Sequence, residues 1–448
     1  MLIHRTTTKS HRLKASTAIG VAVLTAAGLG IPTAAASAQA SGAGTLKIIT
    51  WVNPPAVAAL TKIDSEFEKA NPGIKVQLET AANVTAGYAT LQSTTVDANS
   101  ADIMTSVSQV QPLPLKPTRA NMSPVQYWST SGVFLPLNNQ PWIKDFTPAA
   151  LGLETYKGQI EGLVSGVYQQ AIFYNKADFA KYHVTVPTTW DQFMTLLKTL
   201  AADHVTPLWL GAGGGASIYV QNFLTEALMA SLWLSHVPGA NITTDLQTGA
   251  ATWDNPYFIQ AMTDEAVLGK YLEPDYTGVS WEGMPGAFAE NKAAMLFDGS
   301  WDLATVQQAN PKLQVGSFPL PGSNIASQNQ TLLKADLTFE VLKHAHNMAA
   351  ALKYMAFFAS KPIYEQYVDI TGISPSETSG TYTSFSSKVL GSWLGKGIPL
   401  GNIMPLSLPP TEGYYDTPVE FPLLQEAVVA GTVTPQKAAQ EIQSSWKR

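Results

Sequence analysis

Residues 45–78 constrain the fold more tightly than any other part of the chain. Thr45-Leu-Lys-Ile-Ile-Thr-Trp51 reads as a strand, and Val57, Leu60, Ile63 and Phe67 then recur at helical spacing. Asn71-Pro-Gly73 stops that helix. Ile74, Val76 and Leu78 alternate with polar residues and predict a second strand. Strand–helix–strand over this length predicts a βαβ unit with a parallel sheet, and hence an α/β fold. Ala101-Asp-Ile-Met-Thr-Ser106 reads as the end of a third strand. A chain of 448 residues exceeds one ordinary core and predicts two lobes.

The N-terminus has the pattern of an export leader. Basic residues precede an apolar run from Ala15 to Ile31, and small residues follow Pro32. Ala36-Ser-Ala38 and Ala38-Gln-Ala40 both satisfy the small-residue cleavage rule, giving an expected signal peptide over 1–40 and a mature start after Ala38 or Ala40. Intact-mass measurement on exported protein checks this; a retained leader overturns it. Removing Arg5, Lys9, Arg12 and Lys14 takes the formal charge from −6 to −10. With no basic block, nucleic acid is not an expected partner. The chain has no cysteine, which excludes disulfides, thiolate catalysis and cysteine-based zinc sites.

Phe288-Ala-Glu-Asn-Lys-Ala-Ala-Met-Leu-Phe-Asp-Gly-Ser-Trp-Asp302 reads as a helix end, a strand apolar on both faces, and a tight turn presenting Trp301. Gly299 permits close backbone approach at the turn. The segment resembles the "GKAAM…G.W" stretch of extracellular solute-binding proteins, the receptors of ABC importers for carbohydrates. Gly158-Gln-Ile-Glu-Gly-Leu-Val-Ser-Gly-Val-Tyr-Gln-Gln-Ala-Ile-Phe-Tyr-Asn-Lys176, followed by Pro187-Thr-Thr-Trp-Asp-Gln-Phe193, is similar to that family's "G.(V/I)YGLP…..YNK……P.TW.EF". Gly372-Ile-Ser-Pro375 resembles its "G.(L/I)P" turn, and Ala101 stands where its third strand usually has Pro. The lipid-bearing cysteine that many Gram-positive members carry after the leader has no counterpart, so a protein free in a periplasm, secreted, or held by its partners is expected.

The resemblance implies two α/β lobes joined by hinge crossovers, with ligand held in the interlobe cleft. Lobe one is expected over 45–167 plus 319–375, and lobe two over 168–318 plus 376–448. It also implies a monomeric receptor that binds sugar without chemistry or cofactor and presents it to permease subunits. The alternatives are a secreted carbohydrate-active enzyme or a receptor for another solute.

Neutral polar and aromatic residues near strand ends and loops supply the candidate ligand contacts: Trp51, Asn53, Ser106, Ser108, Tyr168, Gln169, Trp281, Asp298, Trp301 and Tyr414. Flat rings suit the C–H faces of a sugar, and amides, hydroxyls and carboxylates suit its hydroxyls. In the resembled family the tryptophan after the turn often lies against a sugar ring, which singles out Trp301. Asp298 is expected to bind, rather than to form a catalytic pair with Asp302. Trp190 is expected in the core. With no Arg in the set, and Lys292 lying before the strand, the ligand is expected to be neutral.

Other motifs carry less. Gly211-Ala-Gly-Gly-Gly-Ala216 fits G-x-G-x-x-A formally. It lacks the acidic residue near twenty positions on, Glu226 falling inside the next helix, so it reads as a Gly-rich loop. His344-Ala-His346 lacks a third ligand nearby and reads as a solvated turn. No H-E-x-x-H, P-loop or G-x-S-x-G occurs, and no metal is expected.

Overall fold

The computed structural model describes residues 43–81, 86–106, 109–110, 113, 117, 119, 122–213, 220–234, 236, 242–377, 379–399 and 420–445. The expected leader, Ser108 and Tyr414 lie outside these residues.

The first strand, β1, is Gly44–Trp51, and Asn53 caps the helix α1, Pro54–Ala70, by accepting the Ala56 N–H at 3.3 Å. Two prolines open α1, where their missing N–H groups cost nothing. Strand β2 (Ile74–Ala81) returns parallel to β1, helix α2 (Ala86–Ala98) follows, and β3 (Ile103–Ser106) pairs parallel on the other edge of β1. The short β4 (Leu163–Val164) precedes the long β5 (Val167–Asn175). Then come α3 (Trp190–Ala202), β6 (Leu208–Trp209), α4 (Val220–Met229), α5 (Pro256–Leu268), α6 (Met284–Ala289) and β7 (Met295–Gly299). Strands β8 (Val315–Phe318), β9 (Leu332–Ala335) and β10 (Thr338–Val341) lead to α7 (Met348–Phe358) and α8 (Lys361–Thr371). The last elements are β11 (Ile398–Pro399), α9 (Glu420–Val429) and α10 (Pro435–Ser445).

Two sheets result. Sheet one runs β2-β1-β3-β10-β4, and sheet two runs β11-β9-β5-β7-β6 with β8 also on β5. Each sheet has its own core. Leu46, Ile48, Leu60, Ile63, Phe67 and Tyr354 are among those filling the first, and Phe173, Phe193, Leu197, Phe258, Phe288 and Phe297 are among those filling the second. Strand β7 is buried along its whole length, as a run apolar on both faces requires. Trp190 packs against the second core, with its ring 6.4 Å from that of Phe193. The cap of α3 divides between two threonines: Thr189 accepts the Gln192 N–H, while Gln192 Oε1 accepts from Thr188.

The chain crosses between the sheets at Ser165–Gly166, at Asp336–Leu337 and after Ser374, and the crossings are bonded to one another. Ser165 N donates to Leu337 O (2.8 Å), Asp336 N to Gly166 O (3.0 Å), and Val167 N to Ser374 O (2.9 Å). A Cβ on Gly166 would stand 2.1 Å from Ile373 Cδ1 and 2.8 Å from Ser374 O, so only glycine fits where the three segments meet. The second crossing corrects an expectation. Residues 319–375 were assigned to lobe one, yet β9 pairs antiparallel with β5 in sheet two, and Leu320 and Leu332 belong to the second core. After β8 the chain turns and re-enters the same sheet before crossing, a topology that local pattern does not encode.

Both cores hold carboxyls that burial keeps protonated. Glu154, Glu161 and Glu340 come together on sheet one. Burial first, then repulsion from Glu340 and Glu161, pushes Glu154 well up, and burial pushes Glu340 up to about 8. In the second core burial pushes Glu265 up to about 8, despite a 2.5 Å bond from Thr225 Oγ1. A carboxyl whose folded pKa is raised contributes stability that is complete below its unfolded pKa, near 4.5, and is lost as pH rises through its folded value. The melting temperature is therefore expected to fall between pH 5.5 and pH 8.5, by an amount on the order of a few kcal/mol of stability. A scan in matched buffers checks this. A melting temperature that climbs across the same window contradicts it.

Candidate functional site

A cleft of about 810 Å³ lies between the two sheets, and its lining comes from both sides. Sheet one contributes Trp51 and Asn53 at the end of β1 and the start of α1, with Thr371 at the end of α8. The second side contributes Phe223, Trp281, Glu282, Trp301, Asp302 and Lys334. Tyr168 and Asp336 form the floor beside the crossings. Clefts where strand ends and crossovers converge are the usual ligand sites of α/β folds.

Trp301 stands at the centre. The chain leaves β7 at Gly299 and makes a single turn of 3₁₀ helix, Ser300–Asp302. The Trp301 ring folds back over Gly299 so closely that a Cβ there would meet Cζ3 at 2.2 Å. Tyr168, Trp281 and Phe223 surround it edge-on, at centroid distances of 5.5, 6.1 and 6.1 Å. The Gln169 N–H donates to Ser300 Oγ at 3.1 Å and ties the turn to β5.

The floor is polar and its charges compensate. Burial depresses the Lys334 ammonium, while Glu226 and Asp336 act to keep it charged. Burial pushes Asp336 up to about 6, against the pull of the Leu337 N–H, Tyr168 and Lys334. Burial drives the Tyr168 hydroxyl well above its ordinary range, with the Asp336 charge adding to the effect and an Asn53 hydrogen bond opposing it. Asp302 is raised by burial and drawn back by hydrogen bonding with Asp298 and the indole N–H groups of Trp301 and Trp281.

Of the candidate contacts read from sequence, the cleft brings together Trp51, Asn53, Tyr168, Trp281 and Trp301. Three others are elsewhere. Ser106 is buried between β1 and β10, and its carbonyl accepts from Thr338 Oγ1 at 3.3 Å, so the strand that flanks it covers it. Gln169 is fully buried on the opposite face of β5 from Tyr168, because neighbours in a strand alternate. Its amide donates to Thr331 Oγ1, Trp393 O and Lys396 O and accepts from Ser374 Oγ and Gly395 N. Asp298 is 4 % exposed and stands behind Asp302, which lines the cleft in its place. Ser108 and Tyr414 lie outside the described residues.

Phe223, Glu282, Lys334 and Asp336 escaped the sequence reading. Lys334 and Asp336 follow from placing β9 in sheet two just before a crossing. Glu282 had a signal, being next to Trp281 in a loop. Phe223 had none beyond an amphipathic helix. Lys334 brings to the cleft lining a cation that the candidate set lacks.

The Gly-rich loop has its amides engaged at its start. Leu210 N and Gly211 N donate to the Glu273 carboxylate at 2.9 and 2.7 Å, which leaves those donors unavailable for a phosphate. His344 and His346 lie in the connection between β10 and α7, and among the described residues no group of three metal-ligating side chains occurs.

Two lobes, three bonded crossings and an aromatic cleft define a hinged, ligand-capturing receptor of the solute-binding class. The chain belongs to the bacterial extracellular solute-binding protein family, whose model matches residues 51–365. It is 24% identical over 326 residues to the multiple sugar-binding protein of Streptococcus mutans, covering 70% of this chain and 71% of that one. It is 21% identical over 243 residues to the melibiose/raffinose/stachyose-binding protein MelE of Bacillus subtilis, covering 53% of this chain and 56% of that one. Its fold is that of RafE from Streptococcus pneumoniae in the apo form, with a TM-score of 0.71 at 19% identity over 90% of this chain and 97% of the other. The RafE complex with raffinose superimposes with a TM-score of 0.67 at 19% identity, over 90% of this chain and 98% of that one. Among the described residues no helix is long and apolar enough to cross a membrane.

Proposed function

We propose that this chain captures a neutral sugar or oligosaccharide in its interlobe cleft and delivers it to the permease subunits of an ABC importer. The carrying observation is the lining of the cleft. The rings of Trp51, Trp281 and Trp301 alternate with the acceptors Glu282, Asp302 and Asp336, a combination suited to sugar C–H faces and hydroxyls. Relatives named for sugars, among them the multiple sugar-binding protein, support the same reading. No chemistry on the sugar is proposed: Asp298 is buried behind Asp302 and does not line the cleft, so the two do not face a bond from opposite sides as the carboxyls of a glycosidase do. The protein is exported and acts at the cell exterior or in a periplasm. Among the described residues, lobe one comprises those of 43–165 and 337–384 and lobe two the others, moving about the Gly166 and Asp336 crossings and the segment after Ser384.

A thermal-shift and calorimetry panel of raffinose, stachyose, maltotriose and a uronic-acid trisaccharide, with product analysis, tests this. A neutral sugar is expected to bind without being cleaved and to outcompete the acidic one. Lys334 is offset by Glu226 and Asp336, so the cleft carries no net positive charge for an anion. A tighter-binding uronic acid, or released monosaccharide, overturns the reading. Contacts made only in the closed state can shift a hinge, so small-angle scattering is expected to show compaction with saturating ligand. An unchanged radius of gyration counts against the hinge.

A further inference from the structure

Asp298 is the unexplained group in this site. It is the last residue but one of β7, is 4 % exposed, and does not line the cleft. Its Oδ1 accepts the Gly299 N–H at 2.7 Å, while among the described residues no N–H or O–H donor meets its Oδ2 in hydrogen-bond geometry. Its neighbour is a second carboxyl, Asp302, within hydrogen-bond reach and facing the cleft. Two carboxylates this close and this buried cannot both be charged, so one proton lies between them. Asp298 is the more deeply enclosed member, 4 % exposed and off the cleft that Asp302 lines, so desolvation favours the proton on Asp298, and burial and the Asp302 charge both push it up. The other groups facing the pair are Trp281, whose indole favours the ionised form of both carboxyls, Trp301, which favours ionised Asp302, and Glu282, which opposes it.

We propose that Asp298 and Asp302 form one singly protonated carboxyl pair, in which buried Asp298 donates to Asp302 and fixes it as an acceptor for a ligand hydroxyl. Asp298 is thus a positioning residue, and Asp302 makes the contact. The arrangement selects a ligand that presents a hydroxyl donor beside the Trp281 and Trp301 rings, and it rests on the sugar-binding reading above. Affinity then depends on pH from both sides. A second proton removes the acceptor. Loss of the shared proton places two charges together and turns Asp302 away from its oriented position.

The conservative variant separates positioning from structure. In Asp298→Asn the amide oxygen still accepts the Gly299 N–H and the NH₂ still donates to Asp302, so the variant is a permanent copy of the protonated form. With raffinose as probe, and stachyose or maltotriose where raffinose is weaker, wild-type affinity is expected to be bell-shaped between about pH 4.5 and 9.5. Asp298→Asn is expected to bind within threefold of wild type at the optimum and to lose the fall on the alkaline side. Asp302→Asn is expected to weaken binding at least ~10-fold, the loss of a charged hydrogen bond. A flat wild-type profile, or an Asp298→Asn variant that binds poorly while melting like wild type, overturns the proposal. Carbon-13 carboxyl titration of the ligand-free protein is independent of any sugar: one proton per pair is expected at pH 7, and two ionised carboxylates there overturn the pair. Failure of every sugar to bind wild type overturns the sugar reading instead, and leaves that titration to decide the pair.

Discussion

Replacing Trp301 by Ala is expected to weaken sugar binding at least ~30-fold while lowering the melting temperature by only a few degrees. The ring lines the cleft and is partly exposed, with Tyr168, Trp281 and Phe223 set edge-on about it. Cutting such a central aromatic to Ala commonly costs ~2 kcal/mol or more of binding energy, and each 1.4 kcal/mol is tenfold in affinity. A fully buried tryptophan would instead cost ~3–5 kcal/mol of stability. Titration calorimetry and a melting curve on one variant separate the two roles. Unchanged affinity with a large loss of stability returns Trp301 to a structural role. Gly299→Ala gives the same test without touching the ring: its Cβ would lie 2.2 Å from Cζ3, so the ring must move and affinity is expected to fall.

Gln169→Leu is expected to act the other way, destabilising the fold by about 4 kcal/mol and leaving sugar affinity within tenfold. The side chain is nearly isosteric, so the loss is of hydrogen bonds and not of packing. Its two polar atoms meet Thr331, Trp393, Lys396, Ser374 and Gly395, at 2.7–3.0 Å. Each bond contributes about 1 kcal/mol net, and each buried group left without a partner costs ~1–3 kcal/mol. These partners span the loop before β9, the last crossing and the turn before β11, so the amide fastens three segments distant in sequence. Urea unfolding of the variant is the measurement. A stable variant that no longer binds sugar would make Gln169 a ligand contact after all.

The contrast between Trp301 and Gln169 shows what local sequence can and cannot decide. Periodicity alone specified β1, α1 and β2, because burial of one helix face and alternation along a strand are local consequences of 3.6- and 2-residue repeats. The double-faced apolar run at 293–297 identified a covered strand, and the Gly299–Trp301 turn after it marked a residue that lines the cleft. Adjacency in sequence also placed Trp51, Asn53 and Trp281 near strand ends or in loops, where clefts form. Only the tertiary structure decided which face of β5 meets the cleft, sending Tyr168 to it and Gln169 into the hinge. It alone put Lys334 and Asp336 on the floor, since that required β9 to pair with β5, Leu332 with Gln170, 162 positions apart (332 − 170). It also exchanged Asp298 for Asp302 at the surface of the cleft. A strand's register and partner are set by contacts between distant segments, and whether a carboxyl meets ligand or is buried behind another depends on those contacts, which local composition does not contain.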